Sequence, residues 1–141
     1  MFLLNNDTKV RPGCISAMEA RMEREKELFS VSARMVDMRN PEIMDGAGDL
    51  YSALGWAYAI GKGKPAAYYG KPRKLFSACA GAAIYRKSAL ELTGDFDESH
   101  FAYLEDVDIG YRARILGFSN AYEPSAVVLH AGSATSGSRY N

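Results

Sequence analysis

Carboxylates dominate the side chains in this sequence that could do chemistry. Asp95, Asp97 and Glu98 come first, and Glu105-Asp106-Val107-Asp108 follows at the start of a helical pattern. Acidic groups in a first helical turn are favoured by the helix dipole and its free backbone N–H groups, so the cluster has a purely structural reading. It also has a chemical one: a carboxylate that points into a cleft and reaches a hydroxyl is a general base. The two histidines are His100 and His130. An isolated histidine commonly serves packing or solvation, since imidazole fills many roles. His130 differs because it ends the apolar run Ala126-Val127-Val128-Leu129, and Asp7 likewise follows the apolar run Phe2-Leu3-Leu4. If those two strand ends converge, Asp7 and His130 form an oxygen–nitrogen pair suited to Mn²⁺ or Mg²⁺, with positions left open for a diphosphate.

Other chemistries fail on spacing. In an EF-hand reading Asp95 and Asp97 would hold the first and third ligand positions. The obligatory glycine would then be His100, and the bidentate glutamate would be Asp106. Gly61-Lys62-Gly63-Lys64 is not a phosphate-binding P-loop: Trp56 stands where the first glycine belongs, and no Ser or Thr follows the lysine. There is no Cys-x-x-Cys zinc spacing and no serine-hydrolase signature. Cys14 and Cys79 read as free thiols in a reducing cytoplasm, with Cys79 a small buried residue of an apolar run.

The elements that must position these groups follow from periodicity. Phe2-Leu3-Leu4 predicts a short buried strand. Ile15 to Phe29 predicts a helix, with Ile15, Met18, Met22 and Leu28 or Phe29 near one face. Ser30 to Met38 resembles a strand. Asp45 to Pro72, rich in glycine and aromatics, predicts a long ordered loop with short strands, the kind that is functional or mobile. Its Tyr51, Trp56 and Tyr69 suit sugar stacking or a packed aromatic cluster equally. Leu75 to Tyr85 predicts a buried strand or two, and Lys87 to Leu92 a short helix. Leu104 to Leu116 predicts a helix with Leu104, Val107, Tyr111 and Ile115 on one face. Ser119 to Tyr122 and Ala126 to His130 predict two strands around Glu123-Pro124. Residues 131–141 predict a flexible tail after a domain spanning 1–130.

The 141 residues, 48% of them apolar and 24% charged, describe one globular α/β domain. Seventeen basic residues balance seventeen acidic ones. That argues against nucleic acid as a partner. No run approaches the ~20 apolar residues of a membrane span, and the first residues lack the basic start of a signal peptide.

Together these segments resemble the family 2 glycosyltransferases of the GT-A fold. Leu3-Leu4-Asn5-Asn6-Asp7-Thr8 resembles their metal-binding segment, and Phe76 to Arg86 their acceptor-side strand. Gly94-Asp95-Phe96-Asp97-Glu98 with Phe101 to Ile109 resembles their G-x-F-D-E…E-D-x-D-L block, and Pro124 to His130 continues it. Asn5-Asn6-Asp7-Thr8 and Gly132 to Gly137 are most similar to the bacterial rhamnosyltransferase-like branch. The resemblance implies that Asn5, Asn6 and Asp7 contact the nucleotide-sugar diphosphate, with Asp7 and His130 holding a divalent metal, Mn²⁺ or Mg²⁺. Asn5 stands where many members carry an acid. Asp106 matches the base that deprotonates the acceptor, and Glu105 and Asp108 shape its site. The implied reaction is an inverting transfer from a nucleoside-diphosphate sugar such as dTDP-rhamnose to a glycan or lipid-linked acceptor. The implied place is the cytoplasm or the inner membrane face.

In the family, about half of a doubly wound domain precedes the metal motif. Here Met1 almost abuts it, so the expectation is a partial GT-A sheet whose open edges favour self-association, weak stability or both. The alternative is a non-catalytic remnant that self-associates or binds an acceptor glycan.

Overall fold

The computed structural model describes residues 1–98 and 104–132. His100 and the 101–103 part of the acidic block therefore lie outside the described residues, as does the sequence from 133 on.

The centre of the molecule is strand β3 (Leu28–Asp37), whose residues 28–33 are all buried. Burial on both faces explains its near-continuous run of small and apolar side chains. On one side β3 pairs antiparallel with β8 (Ala82–Tyr85), and β8 pairs antiparallel with β1 (Phe2–Leu4). On the other it pairs in parallel with β9 (Ser119–His130), from Leu28 opposite Ser119 to Asp37 opposite His130. The far edge of β9 carries β7 (Arg73–Leu75) and then β2 (Thr8–Val10), both antiparallel. Strand β4 (Met44–Gly46) folds back on the end of β3. A hairpin of β5 (Asp49–Tyr51) and β6 (Ala57–Ala59) stands apart.

Two helical layers cover the sheet. Helix α1 (Cys14–Arg24) lies over Ala82 and Ile84 of β8, whereas α2 (Lys87–Thr93) and α3 (Glu105–Ile115) lie over Ala83 and Tyr85. Alternate strand residues point to opposite faces, so the helices sandwich the sheet. A third cluster, with Val36, Met44, Ile60, Leu75 and Tyr122, sits under the long 44–75 segment.

The mixed α/β class is as the sequence predicts, and several boundaries differ. Helix α1 ends at Arg24, with Arg21 and Arg24 complementing its C-terminal dipole, and Leu28 and Phe29 belong to β3. Its buried face is Cys14, Met18 and Met22, with Ile15 exposed. Strand β1 is half-buried and has β8 as its one partner among the described residues. The two strands expected around Glu123-Pro124 are one strand. Its ladder with β3 skips from Glu123 to Val127, so the proline sits in a bulge where its missing N–H costs no ladder bond. On α3 the expected apolar face is the core face only at Val107: Ile109, Gly110 and Ala113 are buried beside it, while Leu104, Tyr111 and Ile115 are exposed. Gly110 is required by packing, because a Cβ there would collide with Ser77.

Candidate functional site

The ends of the parallel strands β3 and β9 reach the same edge of the sheet, the side where ligands bind in open α/β sheets. His130 closes β9 opposite Thr8 of β2, and this register puts Asp7, in the turn before β2, beside the imidazole. The backbone locks the pairing, since Ala131 N–H donates to the Asp7 carbonyl at 2.9 Å. His130 Nε2 lies 3.1 Å from Asp7 Oδ1, and His130 Nδ1 lies 2.6 Å from Asp45 Oδ2. Asp45 comes from β4, between buried Met44 and Gly46. All three side chains are largely withdrawn from solvent, and exposed Lys62 reaches Asp45 at 4.0 Å.

Two arrangements satisfy this geometry: an imidazolium that donates to both carboxylates, or a cation beside a neutral imidazole. A neutral imidazole carries one N–H. If Nδ1–H donates to Asp45, the Nε2 lone pair faces the lone pairs of Asp7, an arrangement that a cation between them satisfies. Adjacent ligands of an octahedral ion at the usual Mg–O distance stand roughly 3 Å apart, close to the separation of Asp7 Oδ1 and His130 Nε2. Asp45 would then orient the ligand histidine through its far nitrogen, as carboxylates commonly do at metal sites. The other two residues of the segment lie differently. The Asn5 N–H donates to the Gly81 carbonyl at 3.0 Å, and Asn6 is exposed in the turn.

A second acidic group lies within electrostatic reach of Asp45. Asp49 of β5, Cys79 in the turn before β8 and Asp106 in the first turn of α3 bring ligand atoms within 4.8 Å of one another. The Asp106 carboxylate accepts from Ala80 N–H at 3.1 Å and Val107 N–H at 2.8 Å, which fixes its direction. Burial raises its pKa, helped by Glu105, against the lowering effect of those N–H groups. Asp49 is pushed up to about 7, chiefly by burial and then by the Asp106 charge. The Cys79 thiol rises to about 12 through burial, Asp49 and Asp106, and the Asp45 charge reaches it too, which ties the two clusters together. Cys79 is thus half-buried beside carboxylates, and it stays a protonated thiol.

Glu105 and Asp108 flank the base candidate with different roles. Glu105 Oε2 is buried without a hydrogen-bond partner among the described residues. Asp108 accepts from Arg112 Nε at 3.0 Å and Nη2 at 2.8 Å. Arg112 in turn donates to the Thr93 and Asp95 carbonyls, so this pair ties α3 to the end of α2. Beside Asp108 opens a cleft of about 600 Å³ lined by Tyr51, Trp56, Phe76, Leu104 and Tyr111. Phe76 is stacked between Tyr51 at 5.0 Å and Tyr111 at 6.0 Å, while Trp56 is 71% exposed. The sequence stretch is therefore part packed stack and part open aromatic wall. Leu104, at the mouth, has a left-handed backbone (φ 70°), a strained conformation of the kind that collects at functional sites.

Asp45, Asp49 and Cys79 escape a reading based on motifs. One signal for the first two was present: they are the last acids before a stretch, 50–90, that contains none.

No protein-family model matches the chain. Over 47 residues it is 49% identical to the N-acetylglucosaminyl-diphospho-decaprenol L-rhamnosyltransferase of Mycobacterium tuberculosis strain CDC 1551 / Oshkosh, and equally to that of strain ATCC 25618 / H37Rv. The match takes in 33% of this chain and 15% of each relative's length. Across that third of its length, the chain is related to a glycosyltransferase.

Proposed function

We propose that this chain carries the diphosphate end and the acceptor side of a family 2 glycosyltransferase of the GT-A fold. It transfers a sugar with inversion from a nucleoside-diphosphate donor, dTDP-rhamnose as the first candidate, to a lipid-linked glycan acceptor. The observation that carries the reading is the convergence of Asp7 and His130 at 3.1 Å, with Asp45 behind the imidazole at 2.6 Å. The partial match to a rhamnosyltransferase supports rhamnose as the sugar and a lipid-linked acceptor.

Each part of the face has a task in this reaction. Asp7 and His130 would hold Mn²⁺ or Mg²⁺, which when bound supplies positive charge for the leaving diphosphate. The aromatic cleft binds the acceptor and excludes water, with Trp56 and Tyr111 offering ring faces to a sugar or to the first units of a lipid. Asp106, aimed by two backbone N–H groups, takes the proton of the acceptor hydroxyl. The freed oxygen bonds to the anomeric carbon as the bond to the diphosphate oxygen breaks and its electron pair leaves with the nucleotide. Holding base and acceptor in line supplies much of the acceleration in such a displacement. No helix among the described residues is long and apolar enough to cross a membrane.

Calorimetric titration with dTDP and UDP, each with and without Mn²⁺, tests this reading. The expected result is metal-dependent binding that Asp7→Ala abolishes. Binding that ignores both the metal and the substitution, or no binding by the folded chain, would overturn it.

A further inference from the structure

Asp49 has no part in the reaction as drawn, yet it is the residue that closes around the base. It arrives from β5, far from α3 in sequence, and its own backbone fixes it there. Asp49 N–H donates to the Ser77 carbonyl at 2.9 Å, and Phe76 N–H donates to the Asp49 carbonyl at 3.1 Å. Ser77 packs against Gly110 of α3, so one short segment joins the strand that carries Asp49 to the helix that carries Asp106.

We infer that Asp49 and Asp106 act as one coupled pair that holds a single proton, with Asp49 the positioning residue that keeps Asp106 charged and resets it after each turnover. This rests on the reading of Asp106 as the acceptor's base. Two carboxylates this close and partly buried cannot both ionise cheaply. Their surroundings decide which one yields. Asp106 accepts two backbone N–H bonds that stabilise its charge. Asp49 is raised to about 7 by burial and by the charge opposite. Around the pair, α3 also contributes Glu105, the turn before β8 contributes the Cys79 thiol, on which Asp45 of β4 acts, and β8 contributes Tyr85. The cation Arg114 of α3 is placed over the Phe76 ring, next to the Leu75 carbonyl. The charges acting on the two carboxylates, Glu105 on Asp106 and Asp106 on Asp49, are thus negative, which favours one shared proton.

The proton balance follows. At rest Asp49 is protonated and Asp106 is charged. When Asp106 takes the acceptor's proton, the repulsion that kept Asp49 neutral disappears and Asp49 releases its own proton to water. Transfer of the Asp106 proton to the vacated Asp49 carboxylate then returns the pair to its starting state. One O–H bond on the acceptor is broken, and one proton reaches solvent for each sugar transferred.

The test is carboxyl ¹³C NMR of the whole chain labelled at aspartate, titrated from pH 3 to 9. One aspartate signal should titrate near pH 7, vanish in Asp49→Asn and move at least tenfold in proton affinity toward the ordinary range in Asp106→Asn. Circular dichroism confirms that each isosteric variant is folded. If either is not, the wild-type titration with biphasic shifts at two carboxyls still decides the question. No aspartate titrating above pH 5.5, or an Asp49 titration that ignores Asp106→Asn, would overturn the pairing. The base assignment fails separately, if Asp106→Asn retains transfer while the coupled titration is seen.

Discussion

Replacing Asp49 with Asn should make the stability of the fold less dependent on pH. The folded protein keeps the Asp49 proton up to about pH 7, whereas an unfolded chain releases it near 3.8. Between those values the folded state binds more protons than the unfolded one. The group's contribution is therefore complete below pH 3.8, falls as pH rises, and is gone above 7. At about 1.4 kcal/mol per pH unit, the two units between pH 5 and 7 correspond to roughly 2.7 kcal/mol, and partial exposure of the carboxyl reduces this to about 2. Urea denaturation of wild type and Asp49→Asn at pH 5 and pH 7.5 measures it directly. The variant should gain about 2 kcal/mol relative to wild type between the two conditions. An identical difference at both pH values would refute the claim that Asp49 is held neutral in the fold.

Other substitutions probe the rest of the face. Asp45→Asn removes the carboxylate behind His130 and should weaken Mn²⁺ binding about 10–100-fold in calorimetry, as loss of such outer partners does elsewhere. Asn120→Ala should cost about 2–3 kcal/mol in denaturant unfolding, because buried Asn120 donates to the Phe76 carbonyl and accepts from Ser30, both at 2.6 Å. Gly110→Ala should destabilise by about 1–3 kcal/mol and displace α3 from Ser77, seen as lower Tm together with weaker acceptor binding. Trp56 is the single tryptophan, so its fluorescence should shift to the blue when a lipid-linked sugar enters the cleft, and Tyr111→Ala should weaken that response.

Strand β3 and the helices were legible because each is written locally, whereas the meeting of Asp7 with His130, 123 residues apart, stood only as a condition on two strand ends converging. Periodicity marks α1, breakers mark its start, and polar residues at the ends of apolar runs mark the sheet edge. Asp45 and Asp49 were not legible, because their roles depend on where a glycine-rich segment folds back, which is set by the pairing of β4 with β3 and by Ser77. The misplaced face of α3 has a similar cause. Tyr111 and Ile115 were expected to face inward with Val107, but Gly110 and Ala113 allow close approach to the sheet, so the buried side is Val107, Ile109, Gly110 and Ala113. The single strand through Pro124 was hidden because a proline signals a break, and only the bulge opposite Ala33 and Arg34 lets the strand continue.

The central claim is that one divalent ion joins His130 to a nucleoside diphosphate. Pulsed electron paramagnetic resonance of Mn²⁺ bound to the chain with dTDP tests it most directly. The account predicts ¹⁴N coupling from one imidazole that is lost in His130→Ala, together with ³¹P coupling from the diphosphate. Bound Mn²⁺ that shows neither coupling, or a ¹⁴N signal that survives His130→Ala, would contradict it.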